Sequence, residues 1–227
     1  MFTKMRENIC TIPVNEIFEQ KNGCPLCRMR DKMEQRHVEY VTGPAMMEPD
    51  IRVEINKQGF CERHMRAILK VSSVRLPISL MLDSHLQEID EKILRRRNLD
   101  RLSKLECDCF VCRDLDGNFS RHVETVYKTY RAESEFRALF AEQDYLCLPH
   151  YHLLATGAKK NLGKLSGEFL KECDRLAGKR VTELRRLLGL FHDSFDYRNA
   201  GKPTPEEARD SLERTAEYLT SRAPEKY

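Results

Sequence analysis

Apolar residues recur at helical spacing along most of the chain, and the strict alternation of a half-buried strand is scarce. Pro77 suits a first helical turn, and Leu82, Leu86, Ile89 and Ile93 follow on one face, with Leu102 and Leu105 beyond. One long helix is expected there, with the RRRN run at Arg95 to Asn98 as the place to bend or interrupt it. Phe136, Leu139 and Phe140 form a second apolar face, and Leu184, Leu187, Leu188 and Phe191 a third. After the polar DYRNAGKP turn, Thr204-Pro205-Glu206-Glu207 supplies an N-cap, a first-turn proline and a capping-box glutamate. The helix that follows should turn Ala208, Leu212, Ala216 and Leu219 inward. Glycine and proline mark element ends rather than hairpins, so the expected fold class is all-α.

Comparing the chain with itself changes this picture from a string of helices to a duplication. CPLCRMRDKMEQRHVE, from Cys24, and CFVCRDLDGNFSRHVE, from Cys109, both read C-x-x-C-R-x-x-D-x-x-x-x-R-H-V-E. Arg28 meets Arg113, Asp31 meets Asp116, Arg36 meets Arg121, His37 meets His122, Val38 meets Val123 and Glu39 meets Glu124. In the same register Glu48 meets Glu133, Arg52 meets Arg137 and Gln58 meets Gln143. One residue is then inserted in the second copy, after which Cys61 meets Cys147 and His64 meets His150. The match fades at Leu86-x-Glu88-x-Asp90 against Leu170-x-Glu172-x-Asp174. Two copies of this length are a duplication and not a solenoid. The boundaries expected are 11–95 for the first module, 96–180 for the second and 181–227 for a C-terminal helical extension, with the modules about a pseudo-twofold axis.

Composition narrows the setting. A formal charge of +3 over 227 residues conceals nearly equal acidic and basic totals. It does not point to nucleic acid, and the Arg95-Arg96-Arg97 and Lys159-Lys160 runs lack interleaved aromatics. No run is long and apolar enough for a membrane span, and the first twenty residues lack a signal-peptide pattern. A cytoplasmic protein is expected. In a reducing compartment nine cysteines read first as metal ligands or reactive thiols.

The spacing selects metal. Two thiols in CxxC reach one ion, and a helix starting there favours the thiolate through its dipole. In CxxH the i and i+3 side chains share a helical face. Cys24, Cys27, Cys61 and His64 would close one tetrahedral shell, and Cys109, Cys112, Cys147 and His150 another. The first CxxC can instead pair with the second CxxH if the halves interlock. Three cysteines and one histidine fit zinc, two ions in all, with iron or iron–sulfur as the competitor. Such closed shells leave no position for substrate, so their plain role is to staple short helices. The shared residues Asp31, His37, Arg52, Asp116, His122 and Arg137 could line a pocket. Their retention in both copies favours a hydrogen-bond network that orients the ligand imidazoles. Cys107, Cys173 and Cys10 fall outside the repeat and read as free or core thiols, with Cys107 near enough to exchange into the second site. His85, His152 and His192 are unrepeated helix-face or surface residues.

The order CPLC, GFCERH, CFVC, CLPH and then FDYRN, from about Thr11 to Asn199, resembles a bacterial and archaeal family of small helical proteins of unknown function. Its members carry one or two CPxC…GxCxxH modules. Some carry an automatic label as substrate-binding proteins of ABC transporters, which the reduced-type cysteine motifs here argue against. The resemblance implies the same ligand framework and no activity. The leading expectation is therefore a zinc-stabilised interaction or regulatory module with a protein partner, and self-association is compatible with it. The alternatives are two. An enzyme would use His37 or His122 with Asp31 or Asp116, in a pocket reached by the Phe195–Asn199 segment. A thiol or metal redox sensor would pair Cys107 with Cys109.

Overall fold

The computed structural model describes residues 11–199 and 201–222; Cys10 lies outside them. Among the described residues there are eleven α-helices and no strand. They are α1 (Ile12–Glu19), α2 (Pro25–Thr42), α3 (Pro49–Gln58), α4 (Glu62–Leu69), α5 (Arg75–Ile89), α6 (Leu99–Cys107), α7 (Phe110–Ala132), α8 (Ser134–Ala141), α9 (Leu148–Leu162), α10 (Ser166–Asp193) and α11 (Ser211–Thr220). None is long and apolar enough to cross a membrane.

The duplicated sequence folds as a duplicated order of helices. CxxC opens α2 and α7, while CxxH opens α4 and α9. The repeated Glu48 and Glu133 both sit in extended backbone immediately before α3 and α8. After that the copies diverge. In the first, α5 ends in a π-turn over Asp90–Leu94 and the chain breaks through the RRRN run. Asn98 then caps α6, its side chain accepting from the Arg101 N–H at 3.0 Å. In the second copy α10 runs unbroken for 28 residues, merging what the sequence suggests are two helices. Its buried stripe, Phe169, Cys173, Leu176, Ala177, Leu184 and Leu187, keeps one helical face throughout.

Two expected faces are corrected. Leu86 is 64% exposed, because α5 seats Ile78 and Met81 in its core. The last helix begins at Ser211, after a separate 3₁₀ turn over Glu206–Ala208, so the periodicity restarts. Ala208 is buried in that turn, and Ser211 and Tyr218 face inward on α11. Leu212 and Leu219 are left in solvent.

The chain forms two compact units. Unit 1 comprises Met1–Met29 and Arg121–Tyr227, and unit 2 comprises Arg30–Ser120. The division passes within α2 and α7, so each unit takes sequence from both copies. Unit 1 has an aromatic core: Phe140 lies 4.9 Å from Phe169 and 5.9 Å from Phe18, and Phe169 lies 4.8 Å from Tyr130 and 5.6 Å from Tyr127. Such ring pairs add to the benefit of burial itself. Unit 2 relies on aliphatic packing of Val38, Val41, Ile55, Ile68, Ile78, Met81 and Val111, and this core includes Cys109.

One close approach fixes α7 against α9. The Tyr127 hydroxyl donates to the Leu154 carbonyl at 2.8 Å, and a Cβ on Gly157 would run into that hydroxyl. Gly157→Ala should destabilise unit 1 by about 1–3 kcal/mol despite alanine's better helix propensity. Thermal denaturation should show the loss, with partial recovery when Tyr127→Phe is added. A Gly157→Ala protein as stable as the parent would contradict this packing.

Candidate metal centres

The eight cysteine and histidine ligands expected from the motifs gather in two groups. Cys24, Cys27, Cys147 and His150 meet in unit 1; Cys61, His64, Cys109 and Cys112 meet in unit 2. The pairing is therefore crossed. Each centre takes CxxC from one copy and CxxH from the other, and the reading that closes each shell within its own copy is replaced. Helix length supplies a reason. The 23 residues of α7 carry the chain about 35 Å from its CxxC, whereas the eight residues of α8 span only about 12 Å on the way to CxxH.

All four motifs use one local device. Cys24, Cys61, Cys109 and Cys147 stand just ahead of their helices, and each carbonyl accepts the backbone N–H four residues on, at 2.8–3.2 Å. The second ligand of each motif then falls in the first helical turn. Two helix N-termini thus converge on each centre, and their dipoles favour the negative charge of clustered thiolates.

The distances fit one ion per centre. Metal–sulfur bonds near 2.3 Å and metal–nitrogen bonds near 2.0–2.1 Å give tetrahedral edges of about 3.8 Å between sulfurs and about 3.6 Å from sulfur to nitrogen. In unit 1 Cys27 Sγ lies 3.6 Å from Cys147 Sγ. His150 Nδ1 lies 3.6, 3.3 and 3.1 Å from Cys24, Cys27 and Cys147 Sγ. In unit 2 Cys61 and Cys112 Sγ are 3.8 Å apart. His64 Nδ1 lies 3.2, 3.3 and 3.3 Å from Cys61, Cys109 and Cys112 Sγ. Within each group all four ligand atoms lie within 4.8 Å of one another. The donor set and its size therefore suit a tetrahedral metal.

Electrostatics gives the same demand for a cation. Burial works against ionising Cys24, yet hydrogen bonds from Cys147, Cys27 and His150 hold its thiol well below the usual range. Hydrogen bonding to Cys24 first of all pushes Cys147 up to about 12, and Cys27 is driven up by its bonds to Cys147 and Cys24. Cys109 is brought down to about 6, with burial opposed by the His64 hydrogen bond, while burial and the Cys109 charge push Cys112 up to about 12. Three adjacent thiols cannot all ionise by themselves; a divalent ion would let each release its proton.

The surroundings of the two centres differ. In unit 2 His64 turns Nε2 toward Glu34 Oε1 at 2.8 Å, and Glu34 Oε2 accepts from Arg63 at 2.5 Å. Burial lowers the His64 pKa, but the Cys109 and Glu34 hydrogen bonds outweigh it and raise it to about 10. With Nδ1 on the thiols and Nε2 on Glu34, neither ring nitrogen is left for the shared Asp31, His37 or Arg52. His37 instead approaches Asp114 at 2.6 Å and the Met33 carbonyl at 2.7 Å, and Arg52 reaches Ser84. Asp116 accepts from Arg30 at 3.1 Å. Glu34 falls outside the repeat, since its counterpart is Phe119; the only sequence signal toward it is Arg63 within the CERH motif.

In unit 1 the repeated residues Arg28 and Gln143 form the support. Arg28 donates to the Gly23 and Ile17 carbonyls and to Gln143 Oε1, and Gln143 donates to the Phe18 carbonyl. Their counterparts do not reproduce this clamp: Arg113 is exposed, and the buried Gln58 Oε1 has no partner. The C-terminal extension also closes over this centre. The Ser221 carbonyl lies 3.7 Å from Cys27 Sγ, Tyr145 and Tyr218 pack 6.4 Å apart, and Arg180 stacks 4.4 Å over Tyr145. All four ligands of unit 1 are buried, whereas Cys61 and Cys112 of unit 2 are partly exposed.

The remaining candidates lie apart. Cys107 is exposed and Cys173 is buried in the α10 stripe. His85 bonds the Asn56 carbonyl, while His152 and His192 are exposed, as are both basic runs. Tyr197 is 84% exposed; the cavity beside its turn is lined by Leu190, Asp193, Ser194 and Asn199 rather than His122.

Residues 5–100 and 92–226 each match the profile of DUF6062, described as a family of unknown function. The chain belongs to that family. The double match to DUF6062 tiles the chain along the duplication seen in its residues. No curated protein and no solved structure matches the chain.

Removing Glu34 separates the two centres experimentally. Glu34→Ala should weaken metal binding about 10–100-fold at the unit 2 centre alone. Chelator competition should resolve one weakened and one unchanged equivalent; two unchanged equivalents would contradict the role of Glu34.

Proposed function

We propose that this DUF6062 chain is a zinc protein whose two crossed Cys3His centres are structural, and that the scaffold they hold serves as an interaction or regulatory module. The observation that carries the reading is the closed set of four ligands at tetrahedral edge lengths in each unit. Zinc suits three thiolates and one imidazole, and such a shell has no open position for a substrate. Binding at structural sites of this kind contributes on the order of 10 kcal/mol at neutral pH. Unit 2, with its small aliphatic core, stands to depend on it most.

A protein partner is favoured by the surface of unit 2. Leu69, Leu76, Leu80, Leu86, Leu94 and Leu99 are all exposed, and an open cavity is lined by Leu69, Ile78, Leu82 and Leu86. Grouped exposed leucines mark interaction surfaces more often than lone ones do. Free thiols in motifs of this type suit the cytoplasm.

Protein purified without added metal should be colourless and carry two zinc ions per chain by elemental analysis. A strong chelator should then remove helical circular dichroism, and restored zinc should return it. Brown protein with acid-labile sulfide, or a fully helical chain free of metal, would overturn the reading.

A further inference from the structure

We propose that the unit 2 centre is an oxidant-addressable thiol site, at which a hydroperoxide joins Cys61 to Cys112 and releases the metal, while the unit 1 centre is shielded. The inference rests on the zinc reading above and adds a chemistry to one of its two sites.

Access separates the centres. The Cys24, Cys27, Cys147 and His150 ligands are all buried, and the end of α11 lies against Cys27 through the Ser221 carbonyl. α11 belongs to the extension that follows the second copy, so the first copy has no counterpart to it. In unit 2 Cys109 and His64 are buried, but Cys61 and Cys112 both reach solvent. They are the more exposed two of that centre's three cysteines, and their sulfurs are 3.8 Å apart. Glu34 on His64 Nε2 adds negative charge behind the imidazole ligand, which favours electron-rich thiolates on the metal. Cys107, the exposed thiol that the sequence suggests as a redox partner, is not a member of the ligand group.

The chemistry balances with a hydroperoxide as oxidant. One thiolate, Cys112 or Cys61, attacks the peroxide, breaking the O–O bond and becoming a sulfenic acid as hydroxide or an alkoxide departs, which takes a proton from solvent to become water or an alcohol. The other thiolate attacks that sulfur, forming the S–S bond and expelling hydroxide, which takes a proton to become water. Two electrons pass from two thiolates to one peroxide. The ion left with only Cys109 and His64 loses half its ligands, so zinc departs. A thiol reductant returns both thiolates and allows rebinding.

The test uses the intact zinc-loaded chain, treated with stoichiometric hydrogen peroxide in the presence of a chromogenic zinc chelator. One zinc equivalent should be released at least ~10-fold faster than the second, given how strongly thiolate oxidation follows access. Peptide mass mapping should find Cys61 joined to Cys112, with Cys24, Cys27 and Cys147 unmodified, and reductant with zinc should reverse the change. Cys107→Ser should release zinc at the parental rate. Equal release from both centres, no release, a disulfide through Cys107, or protection by Cys107→Ser would each overturn the proposal while leaving the zinc reading intact. A chain that carries no zinc before treatment overturns both.

Discussion

Three thiols and an imidazole packed within a few ångströms, largely out of water, cannot all take the ionisation state that strong ligation requires unless a cation joins them. This constraint recurs in both units, and the local structure is arranged around it. Each ligand pair sits where a helix begins, so the chain direction, the first-turn geometry and the dipole are set together. Four helix starts meet in twos, and the helices lead away from these points into the hydrophobic cores.

Crossed pairing gives the duplication a physical meaning. If each copy closed its own shell, the two could separate without breaking a metal site. Here each unit draws its CxxC from one copy and its CxxH from the other, so neither copy alone supplies all four ligands of either centre. The copies share this framework and differ around it. The Arg28–Gln143 clamp and the C-terminal extension support the centre beside the aromatic core. A Glu34–Arg63 ion pair supports the centre in the smaller aliphatic unit. The shared ligands thus read as fixed, and the unshared surroundings are where different behaviour can arise.

Much of this was legible in the residues. Helical periodicity gave the all-α class, and the repeated C-x-x-C and C-x-x-H gave the eight residues that gather. The RRRN break was also visible. Ligand pairing was not, because it depends on how far α7 runs relative to α8, and motif spacing does not carry that length. Glu34 is not marked by the duplication, because Phe119 stands at its place in the second copy. The exposure of Leu212 and Leu219 has a different reason. Periodicity assigns a face only within an uninterrupted helix, and the separate 3₁₀ turn at Glu206–Ala208 reset the phase before α11.

The central claim is that two zinc shells form across the copies, and ligand deletion tests it most directly. Zinc content should be compared for two fourfold variants of the full chain. One removes a crossed set, Cys24→Ser, Cys27→Ser, Cys147→Ser and His150→Ala. The other removes a single copy's set, Cys24→Ser, Cys27→Ser, Cys61→Ser and His64→Ala. Crossed pairing predicts one tightly held zinc in the first variant and none in the second. One zinc in the second and none in the first would contradict it.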